Sequence, residues 1–435
     1  MTAGTVSAAS WVVRDGRHIR LVTDLPDSDQ LSDLIAAFDA AVPQWAEYFG
    51  HDDGGWGNWR VTAYLMSAKE PFVAAGHLPE SLPDFRFGFQ SGNRVWVFDQ
   101  PTEYYTRHLL LHEGVHAFSS HLFGGCGPPW FMEGVAEYLS THHWPRGYSV
   151  GDKADADGAD RTNRGGAADR LRSGVVPADP EASAGWGRID MIATARQQQR
   201  VPRIETVMRF GETAHRQVEA YAWSWLVVTL LEMYSEYREP FRESATRAAD
   251  SSPQFTRIFY DGLRDRWPVL TARWRLLTQD IDYGFDPVRH RVELPNEFET
   301  LTSAGVAIGL DTARGWQAAP IRVVAGESVE VTANGFYTIR QPADGESDTA
   351  WKSGPEGVTI QYYRGRPLGQ LIGCFLPLRV DGDLPNQSPL EVVGIADRAK
   401  LTAAVDSWLL LKINEAPGDL DDNRGTIEVR VSPAD

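Results

Sequence analysis

The sequence is poor in cysteine, with two in 435 residues, Cys126 and Cys374. They fall in what the sequence predicts to be different domains, so a framework of disulfides is not expected. Long apolar runs are also missing, and no stretch reaches the roughly 20 apolar residues of a membrane span. The start, MTAGTVSAASWVV, lacks the basic and apolar regions of a signal peptide. We therefore expect a soluble chain, with an extracytoplasmic role left open if the natural N-terminus is longer.

Runs of positive charge are absent as well. The formal net charge is -17, and no cluster of lysine or arginine forms a basic stripe. Binding to nucleic acid depends on neutralising phosphates, so nucleic acid is not an expected partner. By contrast, hydrophobic residues make up 42% of the chain and there are 15 tryptophans. This composition is typical of a folded globular protein rather than a disordered one.

The pattern along the chain divides it into three segments. Residues 1–102 alternate between strand patterns and one amphipathic helix, which predicts a small α/β lobe. Residues 103–290 are mainly helical, with a polar Gly/Asp-rich stretch at 151–169 that predicts a mobile loop. Residues 291–435 consist of alternating runs punctuated by glycine, which predict an antiparallel β-sandwich. The expected fold class is therefore α+β.

The most informative stretch is HEGVH, in which His112, Glu113 and His116 form the pattern H-E-x-x-H. Residues four apart lie on one face of a helix, so both imidazoles can bind the same ion, as a zinc site requires. Glu113 is offset round the helix and is placed to meet a water on that ion. A zinc site that hydrolyses a substrate needs a third protein ligand and an open fourth position.

The third ligand is expected in the stretch WFMEGVAEY that follows. The run GGCGPP interrupts the helix pattern after His116, and a second helix is predicted from about Trp130. An antiparallel second helix would bring Glu133 towards the two histidines, with Glu137 four residues later on the same face.

The combination of HEGVH with WFMEGVAEY resembles the gluzincin, or peptidase MA-like, zinc metalloproteases. The resemblance implies that Glu133 is the third zinc ligand and that Glu137 accepts a hydrogen bond from the first ligating histidine. It also implies that residues 1–102 and 103–290 are two lobes of one peptidase unit. The metzincin pattern is excluded, because positions 119 and 122 are serine and leucine.

Further site residues follow from the same resemblance. Tyr221 resembles a catalytic tyrosine at the start of a helix, although a buried aromatic residue would give the same pattern. The strand in 91–101 would be the sheet edge that pairs with an extended peptide, although plain sheet packing explains its alternation equally well. His121, His142 and His143 are interpreted as surface or loop residues. For His108, packing is favoured over a role beside the metal.

The C-terminal segment, roughly from Gly315 to Pro433, resembles the galactose-specific bacterial lectins of the PA-IL type. The resemblance implies a calcium site formed by the side chains of Glu415, Asp422 and Asn423, with backbone oxygens of Asp419 and Ile339. Hard oxygen ligands suit calcium, but a solvated acidic loop would have the same composition. The sugar-contacting residues of the lectins have no counterpart here, so specificity for galactose is not implied.

Together these features predict a zinc metallopeptidase of gluzincin type, with endopeptidase action mildly favoured. Its substrate would be a peptide or glycoprotein, and a lectin-like module would direct it to glycosylated or cell-wall material. The alternative is a carbohydrate-binding protein whose zinc site is structural or inactive. Glu113 weighs against that alternative, because a structural zinc site does not need it.

Overall fold

The computed structural model describes residues 11–51, 54–145, 171–211, 217–342, 350–379 and 386–434. The loop predicted at 151–169 lies outside the described residues. The chain forms two compact units, each built from more than one segment. Unit 1 comprises residues 1–188, 208–228 and 238–259, and unit 2 comprises residues 189–207, 229–237 and 260–435. The domain boundaries near residues 102 and 290 stay predictions.

Unit 1 contains a five-stranded mixed sheet. Its strands are β1 (Val12–Asp15), β2 (Ile19–Thr23), β3 (Val61–Met66), β4 (Gly88–Ser91) and β5 (Arg94–Phe98), and their order in the sheet is β1-β2-β3-β5-β4. The pairs β2-β3 and β3-β5 are parallel, whereas β1-β2 and β4-β5 are antiparallel.

The sheet order corrects one prediction, because β5, which lies within 91–101, is an interior strand and not the edge. The edge is β4. The reason is the tight turn through Gly92, whose φ of 56° folds β4 onto the outer side of β5.

Four helices accompany this sheet in the first part of the chain: α1 (Asp29–Tyr48), α2 (Lys69–Ala74), α3 (Glu103–Phe123) and α4 (Pro129–Ser140). Helix α1 packs against α3 through aromatic residues. The ring centres of Trp45 in α1 and Phe118 in α3 are 6.1 Å apart, and Trp59, which precedes β3, meets Phe118 edge to face. Two short strands follow, β6 (His142–His143) and β7 (Arg172–Ser173), and they pair with each other.

The later helices are α5 (Arg188–Gln197), α6 (Ile204–Val207), α7 (Val218–Met233), α8 (Ser235–Glu243), α9 (Pro253–Gly262) and α10 (Trp267–Asp280). Helix α7 is apolar on all sides and is buried along residues 222–233, as expected for such a pattern. The chain breaks into α9 and α10 around a short 3-10 turn at Arg264–Arg266, because Gly262 weakens the first helix and Pro268 favours a new start.

The C-terminal part of unit 2 is an antiparallel β-sandwich. Its strands include β8 (Val306–Asp311), β9 (Gln317–Val323), β10 (Ser328–Asn334), β11 (Tyr337–Arg340), β12 (Trp351–Ser353), β13 (Val358–Tyr363), β14 (Arg366–Leu368), β15 (Leu371–Pro377), β16 (Val392–Gly394), β17 (Arg398–Thr402), β18 (Ser407–Ile413) and β19 (Thr426–Pro433). Two four-stranded sheets have the orders β17-β10-β19-β8 and β16-β15-β18-β9. Buried residues from both form one apolar cluster. The α+β class and the C-terminal sandwich are therefore confirmed.

Within the described parts of the chain, no helix has both the length and the apolar character that crossing a membrane requires.

Candidate metal centre

Helix α3 carries the H-E-x-x-H pattern near its middle. Thr102 caps its N-terminus by accepting a hydrogen bond from the backbone N–H of Tyr105 at 3.3 Å. At the other end Gly124 adopts a left-handed conformation with φ of 74° and stops the helix. Pro129 then starts α4, where its missing N–H does no harm. The break between them allows α4 to pack against α3.

Two glycines inside these helices allow close packing around the site. A Cβ on Gly114 would lie 2.5 Å from Cε2 of Phe38, so α3 tolerates no side chain where it meets α1. A Cβ on Gly134 would lie 2.6 Å from the backbone oxygen of Ser224 in α7. The glycines that follow Glu113 and Glu133 therefore set how closely both helices approach their neighbours.

Three donor atoms meet between α3 and α4. Nε2 of His116 lies 3.1 Å from Nε2 of His112, and Oε2 of Glu133 lies 3.2 Å from His112 Nε2. The third side of this triangle, from His116 Nε2 to Glu133 Oε2, is 3.5 Å. All three side chains are buried. The structure thus brings together His112, His116 and Glu133, which the sequence predicted as ligands.

The triangle has the size that zinc requires. Ligand atoms at about 2.0–2.1 Å from a tetrahedral zinc ion are separated from one another by about 3.3–3.4 Å. The three observed separations, from 3.1 to 3.5 Å, bracket this value. Two imidazoles and one carboxylate form a donor set that suits zinc and leaves a fourth position for water or substrate.

The charge on Glu133 agrees with such a role. Burial alone would raise the pKa of its carboxyl group, but hydrogen bonds with His112 and His116 outweigh burial and lower the pKa to about 2. Glu133 is therefore ionised at neutral pH, as a carboxylate ligand must be.

Glu113 lies beside the edge strand of the sheet. Its side chain is buried, and a Cβ added to Gly88 of β4 would be 2.6 Å from its Oε1 atom. Burial raises the pKa of the Glu113 carboxyl group, while the neighbouring His112 and His116 oppose this. A carboxylate with a raised pKa next to a metal site is suited to accepting and returning a proton.

Glu137 has more partners than the sequence suggested. Arg188 binds both of its oxygens, with Nη2 at 2.8 Å from Oε1 and Nε at 3.2 Å from Oε2. The indole N–H of Trp186 donates to Oε2 at 3.1 Å. Nδ1 of His112 lies 3.7 Å from Oε1, which is longer than a hydrogen bond. Glu137 therefore faces His112, as predicted, but is held in place by Arg188 and Trp186.

Sequence reasoning missed Arg188 and Trp186, which follow Glu137 by about fifty positions. The only local signal is the pattern G-W-G-R at 185–188, which carries no metal-site signature. The Arg188 charge is the largest favourable influence that holds the pKa of Glu137 well below its usual range against the effect of burial.

A second set of potential ligands, His108, His112 and Glu137, lies beside the first. Here Nδ1 of His108 lies 3.1 Å from the backbone oxygen of Ser140, and Nε2 lies 3.3 Å from Oε2 of Glu137. Since Arg188 already neutralises Glu137, this set disfavours a cation. His108 contacts Glu137 as well as packing in the core, so packing alone was an incomplete interpretation.

His142 and Cys126 are two further residues near the site. The prediction for His142 was wrong, and Cys126 was not predicted to lie there. His142 is 3% exposed and accepts a hydrogen bond from Arg107 at 2.9 Å, so its interpretation as a surface or loop residue is wrong. The sequence could not reveal this because the burial depends on β6 pairing with β7. Cys126 donates to the backbone oxygen of His116 at 3.4 Å. Burial raises the pKa of its thiol, but contact with the His116 side chain outweighs this and leaves it below its usual value.

Tyr221 also lies at this site. Its ring centre is 5.9 Å from that of His112, and the guanidinium carbon of Arg188 is 5.7 Å from the same ring. Burial, together with the charges of Glu133 and Glu113, raises the pKa of the phenol well above its usual value. Tyr221 is therefore protonated at neutral pH and keeps its hydrogen-bond donor.

In the sandwich, two of the three side chains predicted to bind calcium contact each other, and Asp422 is in the same turn as Asn423. Nδ2 of Asn423 donates to Oε2 of Glu415 at 2.7 Å, and Oδ2 of Asp422 accepts from the backbone N–H of Gln341 at 3.1 Å. Thr338 of β11 exchanges two backbone hydrogen bonds with Arg424, at 2.9 and 3.0 Å. This pairing places the strand that contains Ile339 beside the turn at 421–424.

Two side-chain oxygens of this cluster have no hydrogen-bond partner, and the pKa of Glu415 is raised. Oδ1 of Asp422 and Oδ1 of Asn423 are buried without a hydrogen bond. Burial raises the pKa of Glu415 to about 8, with Asp419 and Asp422 adding to the effect and the hydrogen bond from Asn423 opposing it. Asp419 itself is exposed. Oxygens that lack partners in a negatively charged cluster fit a hard cation.

Comparison with known proteins gives little further information. No family model matches the chain. No curated protein matches it either. Among solved structures, the N-terminal domain of EclA, described as a PllA-like lectin, aligns with 29% of this chain and 95% of that domain, at 15% sequence identity and a TM-score of 0.21. This chain therefore has a weak structural neighbour in a lectin domain.

Proposed function

We propose that unit 1 is a zinc-dependent peptidase of gluzincin type. The observation that carries the proposal is the triangle of His112, His116 and Glu133, whose edges of 3.1 to 3.5 Å match the ligand spacing of tetrahedral zinc. Glu113 beside this triangle favours hydrolysis over a structural role, because a structural zinc site has four protein ligands and no use for a base.

A zinc ion bound by these residues would supply a Lewis acid that lowers the pKa of a bound water to about 7. Glu113 accepts a proton from the attacking water and delivers it to the leaving nitrogen of the peptide. Tyr221 donates a hydrogen bond to the oxyanion that develops on the substrate carbonyl. Arg188 and Trp186 hold Glu137 beside the His112 ring, where its carboxylate would limit the rotation of that ring.

The exposed side of β4 supports a peptide as the substrate. As the edge strand, β4 has free backbone groups on its outer side, and Gly88 lies against Glu113. An extended peptide that pairs with such an edge would pass in front of the base. A peptide bound in this way would present an internal peptide bond to the metal, which is our reason for proposing endopeptidase action.

The test of this proposal combines metal analysis with hydrolysis. Purified chain should contain one equivalent of zinc and cleave a library of peptides. The variant Glu113→Gln should keep the zinc and lose at least about a hundredfold of the activity, as expected when a general base is removed. Glu103→Gln, at the start of the same helix, is the matched control and should cleave normally. Protein that binds no zinc, or Glu113→Gln protein that cleaves normally, would refute the mechanism.

For the sandwich of unit 2 we propose a calcium-dependent glycan-binding role. The two buried oxygens of Asp422 and Asn423 that lack partners support it. A glycan array probed with and without a calcium chelator tests the role. We expect binding that the chelator abolishes, and binding that persists under chelation would exclude calcium as the mediator. If Glu113→Gln and the parent both fail to cleave peptides while glycans are bound, the carbohydrate-binding alternative replaces the peptidase.

A further inference from the structure

Unit 2 contains an arginine without an acidic partner in a cavity. Four arginines are buried in the described residues: Arg107, Arg188, Arg273 and Arg275. The first three form ion pairs with Asp33, Glu137 and Glu236 respectively. Arg275, which is 8% exposed, forms no ion pair with any residue that the structure describes. Its position is unusual, because buried charges are normally paired.

Arg275 lies on α10 and lines a small cavity, of about 20 Å³, that is partly open to solvent. Nη2 donates to the backbone oxygen of Ser388 at 3.1 Å. Its Nε–H is buried and has no partner. Burial lowers the pKa of Arg275, with the positive charge of Arg203 adding to this effect and Cys374 opposing it.

The remaining wall of this cavity is cationic or neutral. None of its ten lining residues is acidic. Arg196 adds a second guanidinium, whose Nη1 donates to the backbone oxygens of Thr278 and Gln279 at 3.2 Å. Gln199, Gln279 and Gln387 are three further polar residues of the lining. The chain as a whole has a net charge of -17, so a cavity lined by two arginines and no acidic residue contrasts with its composition.

Gln199 is present at a position that favours glycine. It follows helix α5 with φ of 55°, and the bonds Gln199 N–H to Arg196 O and Arg200 N–H to Ala195 O complete a Schellman motif. Glycine takes this left-handed conformation without strain, whereas glutamine does not. This strained residue is one of those that line the same cavity.

We infer that this cavity, the arginine pocket, binds a small oxyanion, either a phosphate or a carboxylate group, through Arg275 and the surrounding amides. A guanidinium forms paired, charge-assisted hydrogen bonds with both kinds of anion. The anion would supply the negative charge that Arg275 lacks and accept a hydrogen bond from its Nε–H.

Titration calorimetry and thermal unfolding of the full chain test this inference, with inorganic phosphate and acetate as probes against chloride at constant ionic strength. We expect saturable binding and a rise in melting temperature with at least one probe, and the better probe identifies the class of anion. Arg275→Met should weaken that binding at least tenfold. Saturable binding that is unchanged in Arg275→Met, or none with either probe, would overturn the inference.

A second variant keeps the test valid if Arg275→Met does not fold. Gln199→Gly removes the amide and relieves the backbone strain, so it should unfold at a higher temperature without anion and bind the probe at least threefold more weakly. Ala396→Gly is the matched control, because Ala396 has the same φ of 55° and does not line the pocket. It should gain stability with no change in affinity. Equal affinity in Gln199→Gly and Ala396→Gly would contradict the role of the amide.

Discussion

Arg188 binds Glu137 through two parallel contacts, Nη2 to Oε1 at 2.8 Å and Nε to Oε2 at 3.2 Å, and both side chains are almost fully buried. This ion pair lies directly behind the three proposed zinc ligands, because Glu137 faces His112. A carboxylate fixed beside a ligating histidine is the kind of outer partner that tunes a metal site.

Arg188→Lys should weaken zinc binding. Lysine keeps the charge but lacks the planar fork that holds both oxygens of Glu137. Loss of such an outer partner typically lowers metal affinity by about 10–100-fold. Competition with a chromogenic chelator measures the effect. Arg398→Lys, which changes an exposed arginine paired with Glu330, serves as the control and should bind zinc like the parent. Unchanged affinity in Arg188→Lys would show that Glu137 needs no such support.

Gly88→Ala should impair peptide hydrolysis without removing zinc. The new Cβ would lie 2.6 Å from Oε1 of Glu113, so the carboxylate must move away from its working position. Misplacement by about 1 Å can cost on the order of a hundredfold in rate. Gly262→Ala is the control, because a Cβ there meets no atom within 4 Å. Steady-state kinetics with zinc analysis distinguish the two, and equal rates would place Glu113 outside the reaction.

Unit 2 contains a buried ion pair that should contribute to stability. Nζ of Lys412 lies 2.7 and 2.8 Å from the two carboxylate oxygens of Asp280, and both side chains are about 5% exposed or less. Removing one partner leaves a buried charge, so Lys412→Met should cost about 3–5 kcal/mol in the free energy of unfolding. The double change with Asp280→Asn should cost less than the sum of the single changes. Denaturant titration measures this, and strict additivity would refute the coupling.

The same pair predicts a dependence of stability on pH. Burial raises the pKa of Asp280, but the charge of Lys412 outweighs it, so the folded-state pKa lies below the unfolded value of 3.8. The stabilisation is therefore fully present above the unfolded pKa and is lost as the pH falls through the folded pKa. The difference in unfolding free energy between the parent and Asp280→Asn should be constant near neutrality and shrink below about pH 4. A difference that grows with acid would reverse the assignment.

Calcium should raise the melting temperature of the chain through the cluster around Glu415. Binding to the folded state alone adds about 2.7 kcal/mol at a calcium concentration one hundred times the dissociation constant. Glu415→Gln should abolish this gain, whereas Glu428→Gln, an exposed acid on β19, should preserve it. Scanning calorimetry with calcium and with chelator gives the comparison. A calcium effect that survives Glu415→Gln would locate the ion elsewhere.

The sequence predicted the local parts of the candidate site well. The four-residue spacing of His112 and His116 requires only that the segment be helical, and the glycine and proline run after α3 predicted a second helix. The contacts of Glu137 were predicted only in part. Arg188 lies 51 positions after Glu137 in the sequence. Their contact depends on how the intervening chain folds, and no periodic pattern in the sequence predicts it.

The sheet shows the same division. The sequence predicted the strand in 91–101, which contains β5, but which strand forms the edge of the sheet depends on the pairing of β5 with β3. The arginine pocket was not foreseen at all, since Arg275 reads as an ordinary polar residue in α10.

Sequence alone determined the α+β class, the helix that presents two histidines with Glu113 between them, and the C-terminal antiparallel sandwich, because these depend on residue periodicity and local turn chemistry. Tertiary structure alone decided the 3.1 to 3.5 Å triangle, the buried partners of Glu137 and the missing partner of Arg275. The physical reason is that distance, burial and charge compensation arise from contacts between segments remote in the chain.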